Sequence, residues 1–441
     1  MKRFFTSIAP AVLFALSAIT AITSCQSHDE PINQEPTEQP TKKKLRSPEE
    51  VAIYIQNLVD KIDGETKSRG SKRRTVANIS AVRLKDMNSR SFTSEYGPIR
   101  TISDTLFYII NFNDSAGFAI GGALPESEPV FAIIDDGNLN WKDLENPINQ
   151  RKYFQTVNFM DLSLVGPGGG YFSENDRIVD EINDWLIYSA KAPILRTRWD
   201  QHSPYSDLCS NAITGCVPLA VAQMLSYYQT LQSVPDQNPN SRITIKLNWP
   251  YIISECNQNN GKLTRGSVAA KQVAQLCRYI GRCIDAEYKS GKTSSKSKDA
   301  IAFMVMNCGL NSTGLKKYDA GLIRSSLEKG VPVFGRGNSS KSSFLFFPSY
   351  GGGHAWVYDG YIICRKEGDY DSPKKTMFHC NWGWGGHSNG YYLSKIFDVN
   401  CIEIPEDEIQ EDMIVSRTTE SDEGNGSYYR HNLECALLWK R

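Results

Sequence analysis

One helix-like stretch, GCVPLAVAQMLSYY at 215–228, most constrains what this chain folds into. Its apolar side chains recur with the spacing of a single helical face, at Val217, Ala220, Val221, Met224 and Tyr228. Proline is tolerated in the first turn of a helix but not deeper, so Pro218 fixes the helix start close to Cys216. The sequence therefore predicts a buried helix that begins at a cysteine.

A cysteine in that position has a special environment. Free backbone N–H groups and the positive end of the helix dipole lie at a helix N-terminus. Both lower the pKa of a thiol, and the same N–H groups can hold an oxyanion. Cys216 is therefore a candidate nucleophile, with a buried structural thiol as the alternative. Gly215 is expected to leave one side of the sulfur open.

A nucleophilic thiol needs a base, and the chain offers 6 histidines. His354 follows three glycines and opens the alternating run HAWVYDGYII, which predicts a strand that carries this histidine at the mouth of a cleft. His379 is expected inside a strand, as a structural residue, and His387 follows two glycines and is expected to be exposed.

The stretch FHCNWGWGGHSNGYY at 378–392 supplies a third candidate. Asn381 ends a strand-like run and precedes a Trp-Gly-Trp-Gly-Gly turn. An amide oxygen can hold an imidazole in a useful orientation. Trp382 and Trp384 are expected to shield that contact from water.

Taken in order, WDQHSPYSDLC, TGCVPLAVAQMLSYY, GGGHAWVYDGY and NWGWGGHSNGYY resemble the streptopain family of cysteine peptidases over most of 193–400. The 138 residues from Cys216 to His354 also fall in the range of about 130–150 described for papain-like enzymes. The resemblance implies an α+β, papain-like cysteine protease, with a helical half facing an antiparallel β-sheet half. It implies Cys216 as nucleophile, His354 as base, and catalytic-site positions for Asn381 and Trp382. No metal or organic cofactor is implied.

The same resemblance suggests where substrate binds. It implies that Gly353 lies against substrate and that Trp384 adjoins the active site. The family's serine-rich substrate loop corresponds roughly to EYKSGKTSS at 287–295, so Ser290 and Lys292 are further candidates. Lys292 stands where a contacting serine is usual, and an insertion, SSKSSFLFFPSY at 339–350, is expected to cover the cleft. Both departures leave substrate preference open.

The N-terminal part predicts export and latency. Residues 1–25 have a basic start, an apolar run and the ending Ile-Thr-Ser-Cys, as in a lipoprotein signal peptide whose Cys25 is lipidated. A disordered tether is predicted at 26–45. The next 140 residues, 46–185, resemble the family's inhibitory propeptide, a small α+β domain, and 186–441 form the predicted protease domain. A helix is predicted over Asp176–Ala190, and an activating cut at 160–190.

Charge and cysteine content limit the partners. Lys+Arg and Asp+Glu both number 49, which gives no electrostatic basis for binding nucleic acid. The expected partners are peptide or protein substrates and the chain's own propeptide, with membrane contact only through the lipid. The protein is expected at the bacterial outer membrane or cell surface, with release after processing as a further possibility. No CxxC pair is present, and most of the other cysteines are expected to be free and buried, with a few disulfides left open.

Two alternatives stay open at this point. One is a Cys-His amidase or transglutaminase-like enzyme, which would share the dyad but act on other amides. The other is a non-catalytic surface lipoprotein that binds a partner. Substitution of Cys216 separates them, because a binding protein keeps its function without the thiol and an enzyme does not.

Overall fold

A twelve-stranded antiparallel sheet runs through both the N-terminal and the C-terminal parts of the chain. The computed structural model describes residues 45–66, 73–83, 105–123, 128–140, 185–344, 347–366, 368, 375–394 and 431–441. The predicted leader 1–25 with Cys25, the tether apart from Leu45, and the predicted cleavage region up to residue 184 lie outside the described residues.

The helices of the described residues are α1 (Pro48–Thr66), α2 (Cys216–Tyr228), α3 (Trp249–Gln258), α4 (Val268–Cys283), α5 (Ser297–Asn307) and α6 (Ala320–Glu328). The strands are β1 (Val76–Arg83), β2 (Thr105–Phe112), β3 (Phe118–Gly122), β4 (Ala132–Ile134), β5 (Trp185–Lys191), β6 (Ser233–Pro235), β7 (Thr244–Lys246), β8 (Glu287–Lys289), β9 (Lys292–Ser294), β10 (Leu310–Ser312), β11 (Lys316–Lys317), β12 (Val333–Phe344), β13 (Phe347–Lys366), β14 (Lys375–Asn381), β15 (Gly390–Leu393) and β16 (His431–Lys440).

The strand order shows how the N-terminal part is attached. The order is β1-β2-β3-β4-β15-β14-β13-β12-β16-β10, with β5 paired to β13 and β11 to β16. Strand β4 pairs with β15, where Ala132 lies opposite Tyr392 and Ile134 opposite Gly390. The N-terminal strands thus extend the sheet of the C-terminal part. The division into 46–185 and 186–441 stays a prediction.

Helix α1 begins with a capping box. The Ser47 side chain accepts a hydrogen bond from the Glu50 N–H (3.1 Å), and the Glu50 carboxylate accepts one from the Ser47 N–H (2.7 Å). This reciprocal capping box satisfies two N–H groups that a helix start leaves unpaired. Val51, Ile55 and Val59 of α1 are fully buried in the core shared with the sheet.

The sheet separates two hydrophobic cores. Trp356 and Tyr358 of β13 belong to the core shared with α1 and β1–β4, whereas Ala355 and Val357 belong to the core under helices α2–α5. Successive strand residues point to opposite faces, which explains the division. The predicted α+β class, with a helical half against an antiparallel sheet, is confirmed.

The prediction of a helix over Asp176–Ala190 is wrong where the chain is described. Trp185–Lys191 is strand β5, which pairs with β13 so that Lys191 lies opposite Tyr361. Trp185 and Ala190 are buried, while Leu186 and Tyr188 are exposed. A long-range pairing with β13 overrides the local helical pattern of this segment.

The cysteines agree with the expectation of free thiols. The nine described cysteines are unpaired, and most are buried, with Cys283 exposed and Cys216 partly buried. Cys401 and Cys25 lie outside the described residues. Within the described part of the chain, helices long and apolar enough to cross a membrane are absent.

Candidate active site

Cys216 is the first residue of α2, as the sequence predicts. The backbone N–H groups of Ala355, Val217 and Cys216 itself act to lower the pKa of its thiol. Burial raises the pKa of the Cys216 thiol, while these N–H groups and the charge of Arg336 act in the opposite direction. The influence of the Ala355 N–H on this pKa places the thiol near the residue that follows His354.

Gly215 occupies a position that requires glycine. Its φ of 89° lies in a region that favours glycine. A Cβ on Gly215 would lie 2.9 Å from the Cγ2 of Thr293, so the space beside this residue is filled by the hairpin β8–β9. This contact concerns Gly215 and not the Cys216 sulfur, so the expectation that Gly215 leaves one side of the sulfur open stays a prediction.

The hairpin β8–β9 carries two of the predicted substrate residues. Ser290 and Lys292 lie at or beside its turn, and both are exposed. The hairpin is tied to the segment before Cys216 by Asn211, whose amide nitrogen lies 2.9 Å from the Lys289 oxygen and 3.0 Å from the Lys292 oxygen. The same nitrogen lies 2.9 Å from the Thr293 hydroxyl. One amide thus fixes the loop next to the candidate nucleophile.

His354 lies on β13 and is 7 % exposed. Its Nε2 is 2.9 Å from the carbonyl oxygen of Trp382. Because a carbonyl only accepts, Nε2 must carry a hydrogen, and Nδ1 is the basic nitrogen of the neutral ring. Burial lowers the pKa of His354 to about 4, although the Trp382 carbonyl acts in the opposite direction.

Two tryptophan rings lie beside this histidine, although the Asn381 contact that they were expected to shield is not formed. The His354 ring centroid lies 6.2 Å from that of Trp382 and 4.8 Å from that of Trp384. Trp382 is fully buried, and Trp384 is partly buried. Gly353, the predicted substrate contact, is exposed on β13 opposite Asn338. The two tryptophans exclude water from one side of the imidazole.

Asn381 does not make the contact predicted for it. Its Nδ2 donates to the Thr197 carbonyl (2.7 Å), and its Oδ1 accepts from the Gly383 N–H (3.3 Å). The imidazole instead contacts the Trp382 carbonyl, which belongs to the same peptide unit as the Gly383 N–H. Asn381 ends β14, and the chain then turns at Gly383, so its amide reaches the turn and not the ring.

His379, the rival base, belongs to a buried charge cluster. Its Nδ1 lies 2.5 Å from the Asp359 carboxylate, and its Nε2 lies 3.0 Å from the Asp135 carboxylate. Asp135 also pairs with Arg74 (3.4 Å) and Arg198 (3.5 Å). Burial alone would lower the pKa of His379, but the two carboxylates outweigh it and raise this pKa to about 9. These contacts agree with the structural role expected for His379, and His387 is exposed as expected.

A cavity of about 630 Å³ adjoins this charge cluster. Asp135, His379, Asn381 and Asn389 are among its lining residues, and Cys216 is not. The cavity lies at the seam between the N-terminal strands and the C-terminal part, so it is distinct from the thiol position.

Sequence reasoning missed three contributors to the site. The Ala355 N–H lowers the pKa of the Cys216 thiol, and so does the charge of Arg336, which pairs with Glu434 at 2.9 Å. Asn389 accepts a hydrogen bond from the Trp382 N–H (3.0 Å). The glycine-rich turn around Trp382 was a sequence signal for the contact of Asn389. The strand pairing that brings Arg336 near Cys216 has no local sequence signal.

A thiol at a helix start, next to a strand that carries a carbonyl-anchored imidazole, is an arrangement that papain-like thiol enzymes use. Residues 199–392 match the model of the Peptidase C10 family. Over these residues the chain is therefore similar to the streptopain-like cysteine peptidases.

Individual relatives agree with the family. Streptopain of Streptococcus pyogenes is 25 % identical over 206 residues, which are 41 % of this chain and 46 % of the relative. The thiol protease/hemagglutinin PrtT of Porphyromonas gingivalis is 23 % identical over 324 residues, which are 66 % of this chain and 34 % of the relative. The chain thus spans about half or less of the length of these curated relatives.

Two solved structures from Prevotella intermedia are also similar. A prointerpain A fragment matches with a TM-score of 0.42 and 17 % identity, covering 76 % of this chain and 95 % of the fragment. Active interpain A cysteine protease matches with a TM-score of 0.34 and 21 % identity, covering 49 % of this chain and 90 % of that chain.

Proposed function

We propose that this protein is a cysteine endopeptidase that hydrolyses peptide bonds through Cys216 and His354. The observation that carries the proposal is the position of Cys216, which is the first residue of α2 and whose thiol pKa is lowered by the Ala355 N–H, next in the chain to His354. A helix N-terminus favours a thiolate, and the neighbouring imidazole can exchange a proton with it.

The chemistry is acyl transfer. His354 Nδ1 takes the proton of the Cys216 thiol, and the thiolate attacks a peptide carbonyl carbon. The Cys216 N–H holds the resulting oxyanion. The imidazolium then gives its proton to the leaving amine, which leaves a thioester on Cys216. A water molecule, deprotonated by Nδ1, attacks the thioester and releases the carboxylic acid and the thiol.

In this mechanism the remaining site residues position the dyad or the substrate. The Trp382 carbonyl fixes the tautomer of His354, and Asn381 acts through the Trp382–Gly383 peptide. Trp384 keeps water from the ring. Gly353, Ser290 and Lys292 are exposed and are proposed to contact substrate.

The chain is further proposed to be a zymogen in which residues 46–185 inhibit 186–441. Support comes from the pairing of β4 with β15 and from two ion pairs between the parts, Asp135 with His379 and Glu128 with Lys375 (2.6 Å). The pKa directions also fit latency. Burial raises the pKa of the Cys216 thiol and lowers that of His354 to about 4, and both shifts disfavour the thiolate–imidazolium pair in this form.

Export and anchoring are proposed from the sequence. The leader 1–25 ends in Ile-Thr-Ser-Cys, which is typical of a signal that directs lipid attachment to Cys25. The mature protein would then be held at the bacterial outer membrane or cell surface by this lipid, with processing as a route to release. Growth with radiolabelled palmitate tests this proposal, because Cys25→Ala should abolish the label.

The peptidase proposal is tested with the chain lacking residues 1–25, incubated with casein and a reducing agent. Cys216→Ala is the test variant, and Cys283→Ala is the control because Cys283 is an exposed thiol outside the site. We expect self-shortening and casein loss in the wild type and in Cys283→Ala only, with an iodoacetamide tag on Cys216.

If all proteins stay whole, the chain is trimmed with trypsin and the assay is repeated. Casein loss after trimming supports a zymogen that needs another protease. An inert trimmed chain with an unlabelled Cys216 overturns the peptidase proposal and favours the amidase or the binding protein.

A further inference from the structure

Two asparagines flank the peptide units around Trp382, and only Asn381 stood out in the sequence. The second, Asn389, is 1 % exposed and directly precedes β15. Its Oδ1 accepts a hydrogen bond from the Trp382 N–H (3.0 Å). The carbonyl of the same tryptophan contacts His354 Nε2. Asn389 is therefore connected to the imidazole through the backbone of one residue, Trp382.

The backbone of Asn389 is itself fixed. Its N–H donates to the Gly386 carbonyl (3.2 Å), which closes the turn after Trp384. Its carbonyl accepts a hydrogen bond from the Asp135 N–H (2.9 Å), where the chain leaves β4. Asn389 is thus held by its own turn, and in the uncleaved chain also by the N-terminal part, so its amide oxygen is a fixed acceptor.

The Trp382 backbone has little freedom under these restraints. Its N–H is held by Asn389, and the Gly383 N–H that follows its carbonyl is held by Asn381. Gly383 has a φ of 73°, and a Cβ there would lie 2.9 Å from Leu219 of α2. Because the N–H groups on both sides of it are held, the Trp382 carbonyl keeps one orientation toward the imidazole.

We propose that Asn389 is a positioning residue that sets the orientation of His354 by holding the Trp382 backbone with its amide oxygen. This inference rests on the proposed function, in which His354 is the base. A catalytic base displaced by a fraction of an ångström loses alignment with both thiol and leaving group, so turnover falls more than substrate binding.

The test compares three variants of the self-matured or trypsin-trimmed enzyme. Asn389→Leu keeps the side-chain size and removes the acceptor, and Asn389→Asp keeps an acceptor in the same place. Asn257→Ala is the control, because Asn257 is an exposed asparagine lining the same cavity. Steady-state kinetics on a short chromogenic peptide separate kcat from KM, and thermal unfolding reports the fold.

We expect Asn389→Leu to lower kcat about tenfold with KM little changed, and Asn389→Asp to recover most of the loss. Unchanged kcat in Asn389→Leu overturns the inference. Equal losses in the Leu and Asp variants that follow their melting temperatures also overturn it, because they indicate a purely structural role. If Asn389→Leu does not fold, Asn389→Ser is measured instead, because its hydroxyl is too short to reach the Trp382 N–H.

A second readout does not depend on activity. In the full chain with Cys216→Ala, the ring nitrogens of His354 are followed by NMR and assigned with His354→Gln. We expect Asn389→Leu to shift these signals away from the Nε2–H tautomer, and Asn257→Ala to leave them unchanged. An inactive wild type with this shift would overturn the proposed function and keep the inference. An active wild type without this shift in Asn389→Leu would keep the proposed function and overturn the inference.

Discussion

The imidazole of His354 and the side chain of Asn381 contact opposite ends of one peptide unit, the peptide that joins Trp382 to Gly383. His354 Nε2 contacts the carbonyl of this unit at 2.9 Å, and Asn381 Oδ1 accepts from its N–H at 3.3 Å. The asparagine therefore acts on the histidine through the backbone. This arrangement still fixes the tautomer, because the carbonyl demands a hydrogen on Nε2.

We expect Asn381→Ala to lower kcat of the matured enzyme at least about tenfold, because the peptide unit that orients His354 loses its restraint. Stability should fall by about 1–3 kcal/mol for each buried group left unpaired, namely the Thr197 carbonyl and the Gly383 N–H. Peptide hydrolysis and urea unfolding measure the two effects. An unchanged kcat would show that the peptide unit is held without Asn381.

The second prediction concerns pH and the His379 cluster. The pKa of His379 is raised to about 9 in the fold, above its unfolded value of about 6.5. Its contribution to stability is therefore complete below about pH 6.5 and is lost as pH rises through about 9. We expect His379→Gln to have a lower free energy of unfolding than wild type, and we expect the difference between the two proteins to shrink at high pH.

Urea unfolding in the Cys216→Ala background, at about pH 6, 8 and 10, gives the measurement. Asp135→Asn should weaken the same dependence, because Asp135 is one of the carboxylates that raise the His379 pKa. Asp136→Asn is the control, since Asp136 is exposed next to it. A constant difference between wild type and His379→Gln across this range would contradict the assignment.

The third prediction concerns the close approach of β4 to β15. A Cβ on Gly390 would lie 2.4 Å from the Ile133 carbonyl oxygen and 2.8 Å from the Ile134 Cα. We expect Gly390→Ala to destabilise the full chain by about 1–3 kcal/mol and to speed hydrogen exchange of the Ala132–Ile134 amides.

Gly64→Ala is the matched control for this change. Gly64 lies in α1, and nothing approaches its Cβ position within 4 Å. Alanine there should stabilise the helix by up to about 1 kcal/mol. Equal changes in stability of the two variants would mean that the approach of β4 to β15 leaves room for a side chain at position 390.

The fourth prediction concerns the hairpin β8–β9. Asn211→Ala removes the amide that joins the Lys289 and Lys292 carbonyls and the Thr293 hydroxyl to the segment before Cys216. We expect KM for peptide substrates to rise about three- to tenfold, because Ser290 and Lys292 lose their fixed position. Exchange of the hairpin amides should quicken. Asn240→Ala, at an exposed site, should change neither KM nor the exchange of the hairpin amides. A rise in KM in this control would mean that the effect is not specific to Asn211.

Local patterns predicted the parts of the molecule that depend on neighbours in sequence. The period of helix α2 and the position of Pro218 placed Cys216 correctly, and alternation placed His354 and Trp356 on one face of β13. Contacts between distant segments were not accessible in this way. The partner of His354 is a backbone carbonyl, which has no residue identity to read, and the sequence argument assigned that role to Asn381.

The pairing of distant strands in the sheet also could not be predicted from local sequence patterns. Trp185–Lys191 has a helix-like pattern, yet it forms a strand because β13 offers it a partner. The contact of Asp135 with His379 joins residues 244 positions apart, and it depends on the register of β4 against β15.

The continuous sheet has a consequence for how maturation is observed. A cut between 141 and 184 severs the chain, but it leaves the ladder between β4 and β15, the Asp135–His379 pair and the Glu128–Lys375 pair intact. Scission and dissociation are then separate events. A nicked molecule would run as two bands on a denaturing gel while eluting from a sizing column as one particle, and its activity would follow the elution profile, not the gel.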